Sequence, residues 1–235
     1  MVRSTLPILP LFGALAASGA PALAQDCRLA LALALDVSSS VDAEEDRQQR
    51  LGLAGALLAP EVRAAMFSSP LPVALAAFEW SGRQNQTLIL DWTLIDSPAA
   101  LERAAQRIAS SDRSEEEFPT SLGYALGYGS LLLADGPSCL FTTIDVSGDG
   151  VNNDGFPPSS AYKAYPFADV TVNGLVVHTG GPPGDEVVAF YRDEVIRGPG
   201  AFLEIAQGFD DYERAMRRKL ERELTSLPTG KRDLP

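Results

Sequence analysis

The chain has 235 residues, enough for one domain plus a short leader and too few for two full domains. Its 19 basic and 31 acidic residues leave a formal charge of −12, which argues against nucleic acid and anionic lipid surfaces, because both are gripped by basic faces. An apolar fraction of 46% and a charged fraction of 21% are those of an ordinary globular protein, large enough to fold without a metal or a disulfide.

Arg3, the apolar run from Leu6 to Ala17 and the small-x-small triplet Ala22-Leu23-Ala24 predict a secretory signal peptide over 1–24, cut after Ala24. The run is too short and proline-rich for a membrane span, and no later stretch reaches that length, so the mature chain carries no integral membrane segment. The expected location is the periplasm or the cell exterior. Two cysteines, Cys27 and Cys139, remain after cleavage, and export favours a pair over two free thiols.

The mature domain, expected over 25–227, alternates strand-like and helix-like segments, the mark of an α/β fold with a mainly parallel sheet. Leu29 to Leu35 is a continuous apolar run, as in a strand covered on both faces. Asp42 opens a helix with Glu45 completing a capping box, and Pro60 interrupts it after Ala59. Strands follow over 71–80 and 87–94, joined by the short link Ser81 to Asn85, which makes the second of them an antiparallel edge. Ser97 to Ser110 is helical with Pro98 in its first turn, and a charged loop runs from Ser111 to Phe118.

Thr120 opens the next helix, whose apolar face comprises Leu122, Ala125, Leu126, Gly129, Leu132 and Leu133. Gly123 and Gly127 would allow close backbone packing there. Strands are expected over 140–147 and 170–178, then a helix over 186–196, a short strand over 201–206 and a final helix over 210–224. Residues 228–235 read as a flexible tail.

Candidate chemistry gathers at strand ends. The central strand finishes in Asp36-Val37-Ser38-Ser39-Ser40, and ligands of α/β sheets bind beyond the carboxyl ends of strands. Two hydroxyls one residue apart can reach one hard cation such as Mg²⁺, while Asp36 orients them or a bound water. Alone, the same residues also make an ordinary turn and helix cap. Thr120 at a helix start and Asp149 in Ser147-Gly148-Asp149-Gly150 add two further loops. Asp145, within a strand, and Asp154, deep in the following loop, are rival carboxylates.

Taken in order, these elements resemble the metal-ion-dependent adhesion site of von Willebrand factor A domains, over roughly Cys27 to Leu224. Within that superfamily the chain is similar to an uncharacterised secreted bacterial group that carries Ser-Gly-Asp-Gly, then Asn-Asn, and a later Gly-Pro-Gly-Ala-Phe. The resemblance implies a three-layer, Rossmann-like sandwich around a six-stranded, mostly parallel sheet of order 3-2-1-4-5-6 with one antiparallel edge strand. It implies direct metal ligation by Ser38, Ser40 and Thr120, with Asp36 and Asp149 acting through water. The ion would be Mg²⁺, with Mn²⁺ and Ca²⁺ as alternatives, and the partner a protein offering an Asp or Glu carboxylate. The same sheet order would place Cys27 and Cys139 on neighbouring strands at the edge opposite the metal, as a structural disulfide. Gly148 departs from the pattern, since many relatives have Thr before the Asp-Gly.

Two other functions compete with a binding module. A metal hydrolase needs a base, and the single histidine, His178, lies at the end of a later strand. There is no Gly-x-Ser-x-Gly elbow and no phosphate-binding Gly-Lys-Ser/Thr loop. A structural domain with a vestigial site is the other. Glu115-Glu116-Glu117 reads as a solvated loop. The basic stripe Arg214, Arg217, Arg218, Lys219 and Arg222 reads as a solvated face balanced by Glu213, Glu221 and Glu223. Trp80 either rims the metal face or caps the core.

Overall fold

The computed structural model describes residues 27–225; the expected leader and tail lie outside the described residues. The elements in chain order are β1 (Cys27–Asp36), α1 (Ala43–Leu58), α2 (Pro60–Met66), β2 (Val73–Ser81), β3 (Asn85–Ile95), α3 (Pro98–Ala109) and α4 (Leu122–Ala134). They continue with β4 (Cys139–Gly148), α5 (Pro158–Ala164), β5 (Val170–Val177), α6 (Gly181–Phe190), a π-helical turn (Tyr191–Val195), β6 (Leu203–Ala206), a 3₁₀ turn (Phe209–Asp211) and α7 (Tyr212–Thr225). Among the described residues no helix is long and apolar enough to cross a membrane.

The sheet order is β3-β2-β1-β4-β5-β6. All pairings are parallel except β2 with β3, so the hairpin strand is the antiparallel edge that its short link predicts. β1 is central, and all ten of its residues are buried. Its period-2 alternation sends Leu29, Leu31, Leu33 and Leu35 to one face, where they join a core closed by α1, α2, α3 and α7. Ala30, Ala32 and Ala34 face the other way, toward α4. Burying each leucine contributes about 2–3 kcal/mol. The alanines instead let a helix approach: a Cβ on Gly129 of α4 would lie 3.0 Å from Ile144 Cδ1 and 3.4 Å from Phe78 Cζ.

Local signals are realised at several helix starts. Asp42 Oδ1 accepts from the Glu44 and Glu45 N–H groups at 2.8 and 2.9 Å, and Glu45 Oε2 accepts from the Asp42 N–H at 2.8 Å, closing the capping box. Ser97 caps α3 with Pro98 in its first turn. Pro60 interrupts the first helix but also begins α2, because its fixed φ suits a first helical turn. The segment before β5 likewise holds a short helix, α5, that hydrophobic periodicity over so few residues does not announce.

Cys27 and Cys139 are directly paired across β1 and β4 and form a disulfide, Cα–Cα 4.6 Å, at the amino ends of the two strands. Trp80 is fully buried on the α4 side of the sheet, so it belongs to the core and not to an exposed rim. The α7 cations are engaged, largely by residues other than the glutamates on their own helix. Arg214 pairs with Asp211, Arg217 with Glu61, and Arg218 with Glu204. Lys219 is entirely buried against Asp145 and Glu223, and Arg222 lies over the Phe202 ring.

Candidate metal centre

The carboxyl ends of β1 and β4 are adjacent, with Leu35 paired to Ser147, and this brings their two loops together. Asp36 is the last residue of β1 and completely buried. Its Oδ1 accepts the Ser38 N–H at 2.8 Å, bending the chain so that alternate hydroxyls return toward the strand end. Ser38 Oγ lies 3.2 Å from Ser40 Oγ and accepts from Thr120 Oγ1 at 3.2 Å. Ser40 Oγ donates to Asp149 Oδ1 at 2.7 Å. All five candidate residues therefore meet in one connected cluster. Ser38 and Thr120 are buried, Asp149 is half-buried, and Ser40 is exposed, so the cluster opens to solvent on one side.

Three supports hold these loops, and the sequence did not single out their roles. Arg113, in the charged loop, donates to the carbonyls of Val37 and Val41 at 2.8 Å each and of Ser38 at 3.1 Å. Gln49 of α1 donates to the Asp36 carbonyl at 2.9 Å and accepts from Ser147 Oγ at 3.0 Å. The run Asn152-Asn153-Asp154 pins the start of α4. Asn153 Oδ1 accepts the Thr120 N–H at 2.9 Å, and Asn152 Oδ1 accepts the Gly123 N–H at 3.1 Å. The Thr120 carbonyl accepts from the N–H groups of Asn153 and Asp154. Helix α4 itself starts at Leu122, so Thr120 stands just ahead of it and its backbone is held by this loop.

The electrostatics separate the candidate carboxylates. Burial, then the charge of Asp149, pushes Asp36 up to about 7, against hydrogen bonds from Ser38 and the charge of Arg113. Burial also raises Asp149, opposed by the Ser40 hydrogen bond. Neither makes an ion pair among the described residues, and Asp36 Oδ2 is a buried oxygen without a hydrogen-bond partner there. Asp154 is committed elsewhere: hydrogen bonds from Arg83 and Ser121 hold it down at about 2. Asp145 points away from this cluster, into the face covered by α7, against Lys219.

Oxygen donors of this kind suit a hard divalent cation. Among the described residues no three His, Cys, Asp or Glu side chains converge to hold a metal, so an ion here must draw on hydroxyls. The residues fit that demand: three hydroxyls and two mutually repelling carboxylates, one with a buried oxygen still unengaged. The histidine ring is occupied apart from them, by Asp185 at 3.0 Å and by the Gly180 N–H at 3.2 Å.

The sheet order and flanking helix layers define a von Willebrand factor A fold. The chain is similar to a von Willebrand factor type A structure from Catenulispora acidiphila, with 11% identity and a TM-score of 0.60, covering 84% of this chain and 43% of that one. It is also similar to proximal thread matrix protein 1 from the mussel byssus with a zinc-occupied MIDAS motif, at 16% identity and a TM-score of 0.60, covering 85% and 48%. A third is the pilus adhesin SpaC from Lactobacillus rhamnosus GG in an open conformation, at 12% and 0.61, covering 84% and 30%. The chain spans less than half the length of each, and at these identities the likeness establishes the fold. No curated protein matches the chain. Residues 26–228 match the family described as "Protein of unknown function (DUF1194)", and the chain belongs to that family.

Proposed function

We propose that this protein is a metal-ion-dependent binding module. Ser38, Ser40 and Thr120 hold a divalent cation directly, and Asp36 and Asp149 act through water. The ion is Mg²⁺ in this reading, with Mn²⁺ and Ca²⁺ as alternatives. Neutral hydroxyl ligation leaves most of the ion's charge unquenched, so the ion attracts a carboxylate supplied by an Asp or Glu of a protein partner. The observation that carries the reading is the single hydrogen-bonded cluster joining Ser38, Ser40, Thr120 and Asp149 beside the unengaged Asp36 Oδ2. The zinc-occupied MIDAS of the mussel protein supports a divalent ion at this place in the fold.

Binding is favoured over hydrolysis because no histidine contacts the cluster among the described residues. The reading includes export: residues 1–24 as a cleaved signal, 25–227 as the domain, 228–235 as a tail, and the periplasm or cell exterior as the location. The Cys27–Cys139 disulfide supports an oxidising compartment. The test is calorimetric titration of chelator-stripped protein with Mg²⁺ and Mn²⁺, with and without acetate as a minimal carboxylate. Saturable binding is expected, tightened by acetate and lost in a Ser38→Ala, Ser40→Ala variant. A wild-type protein that takes neither ion even with acetate present would overturn the reading.

A further inference from the structure

Two glycines on one face of the sheet make room for a single aromatic ring. Gly148 ends β4 and Gly174 lies in β5, opposite Val146, so both present their missing side chains to the same face. A Cβ on Gly174 would lie 2.7 Å from Leu203 Cδ1 and 3.0 Å from Tyr191 Cδ1, and a Cβ on Gly148 would lie 2.5 Å from the Tyr191 hydroxyl oxygen. The ring therefore crosses from β5 to β4 with its hydroxyl leading toward β1. The same Cβ on Gly148 would lie 2.7 Å from Asp36 Oδ2. Hydroxyl and carboxylate oxygen thus flank one point, where a longer residue at 148 would displace both.

Two features mark this as more than ring packing. Tyr191 is fully buried, and its hydroxyl has no hydrogen-bond partner among the described residues; Asp36 Oδ2 is in the same condition. A buried donor and a buried acceptor, both unsatisfied, face one another's surroundings, and a phenylalanine would have filled the trench without that burden. Tyr191 also opens the π-helical turn, in which the Ile196 N–H donates to the Tyr191 carbonyl at 3.0 Å. Such turns re-aim a side chain by widening the helix, and they recur at functional sites.

We propose that Tyr191 is a positioning residue of the metal centre, its hydroxyl donating toward Asp36 Oδ2 across Gly148 through one bridging water. Asp36 is then held from both sides, by the Ser38 N–H on Oδ1 and by the phenol on Oδ2, and stays aimed at the hydroxyl cluster. This inference rests on the metal-binding reading and assigns an element of it to a residue 155 positions from Asp36 in the chain.

The test is Mn²⁺ titration of the wild type, Tyr191→Phe and Gly148→Ser, each with a thermal melt of the chelated protein. Removing the hydroxyl should weaken Mn²⁺ binding about 10-fold or more, the usual cost of losing an outer partner of a metal site. The chelated Tyr191→Phe protein should melt within about 4 °C of wild type, because the ring and its packing are retained. Gly148→Ser collides with both the phenol and Asp36 Oδ2 and should bind weakly. Wild-type and Tyr191→Phe proteins of equal Mn²⁺ affinity would overturn this inference while leaving the metal site standing. A wild type that binds no ion would remove the metal reading itself, and this inference with it.

Discussion

Ser40 and Asp149 stand 109 residues apart in the chain, yet the hydroxyl of one donates to the carboxylate of the other at 2.7 Å. This contact closes the cluster on its solvent side, where Ser40 is exposed and Asp149 half-buried. Ser40→Ala should therefore leave folding almost untouched, within about 0.5 kcal/mol, as for most surface substitutions. Mn²⁺ affinity should fall about 10-fold or more, read by calorimetry. Unchanged affinity would show that Ser40 is no ligand.

Gly123 tests the support beneath Thr120. Helix propensity alone would have alanine there stabilise the protein by about 1 kcal/mol. Sterics oppose this: the added Cβ would lie 2.0 Å from the Phe156 carbonyl oxygen, a backbone atom that cannot swing aside. Gly123→Ala should cost about 2–3 kcal/mol in urea unfolding. It should also weaken metal binding, because the displaced loop carries Asn152 and Asn153, which hold Gly123 and Thr120. Gly129→Ala meets side chains alone, the flexible end of Ile144 at 3.0 Å and the edge of Phe78 at 3.4 Å, and should cost less. Equal effects of the two would refute the account.

The disulfide and the candidate metal centre lie at opposite ends of β1, about 30 Å apart for a ten-residue strand. The bond closes a sequence separation of 112 residues, and loop-closure entropy sets its contribution at about 4–5 kcal/mol before any native-state strain. A Cys27→Ala, Cys139→Ala variant should lose about 2–5 kcal/mol of stability. Its metal affinity should stay within about 2-fold of wild type, since distant sites add independently. A large loss of affinity in a variant that still folds would show coupling along the strand.

Lys219 and Asp145 supply a pH dependence. Lys219 Nζ lies 2.5 Å from Asp145 Oδ1 and 3.4 Å from Glu223 Oε1, all three buried, with Asn173 donating to Glu223. Burial, and after it the charge of Glu223, pushes Asp145 up to about 8, against the pull of Lys219. The folded carboxyl keeps a proton that the unfolded chain releases near its ordinary value of 3.8, so unfolding at intermediate pH releases that proton. This contribution is present in full below about pH 4 and declines as pH rises through about 8. Chelated wild-type protein should lose more stability between pH 6 and pH 9 than Asp145→Asn, by urea midpoints at each pH. Parallel curves would contradict the assignment.

Much of the architecture follows from nearest-neighbour chemistry. The Leu/Ala alternation of β1, the Asp42–Glu45 capping box, the proline in the first turn of α3 and the tight β2–β3 link each act within a few residues. Their outcome is written locally. The Asp-x-Ser-x-Ser loop is local in the same sense, since Asp36 captures the Ser38 N–H two residues on.

Other features depend on what a distant strand or helix brings alongside. Arg113 reads as one more residue of the charged loop Ser111 to Phe118, yet three backbone carbonyls of the candidate metal loop converge on it. Lys219 occupies one more position in a basic stripe, and burial against Asp145 sets it apart from its neighbours. Tyr191 carries no motif, because what surrounds it is set by two glycines on two strands and a carboxylate on a third. The convergence of Asp36, Thr120 and Asp149 is of this second kind. It exists because β4 pairs with β1 in parallel register, placing the carboxyl ends of both strands, and the helix start between them, at one edge of the sheet. Periodicity and caps position elements along the chain, but long-range strand pairing alone chooses which of their ends meet.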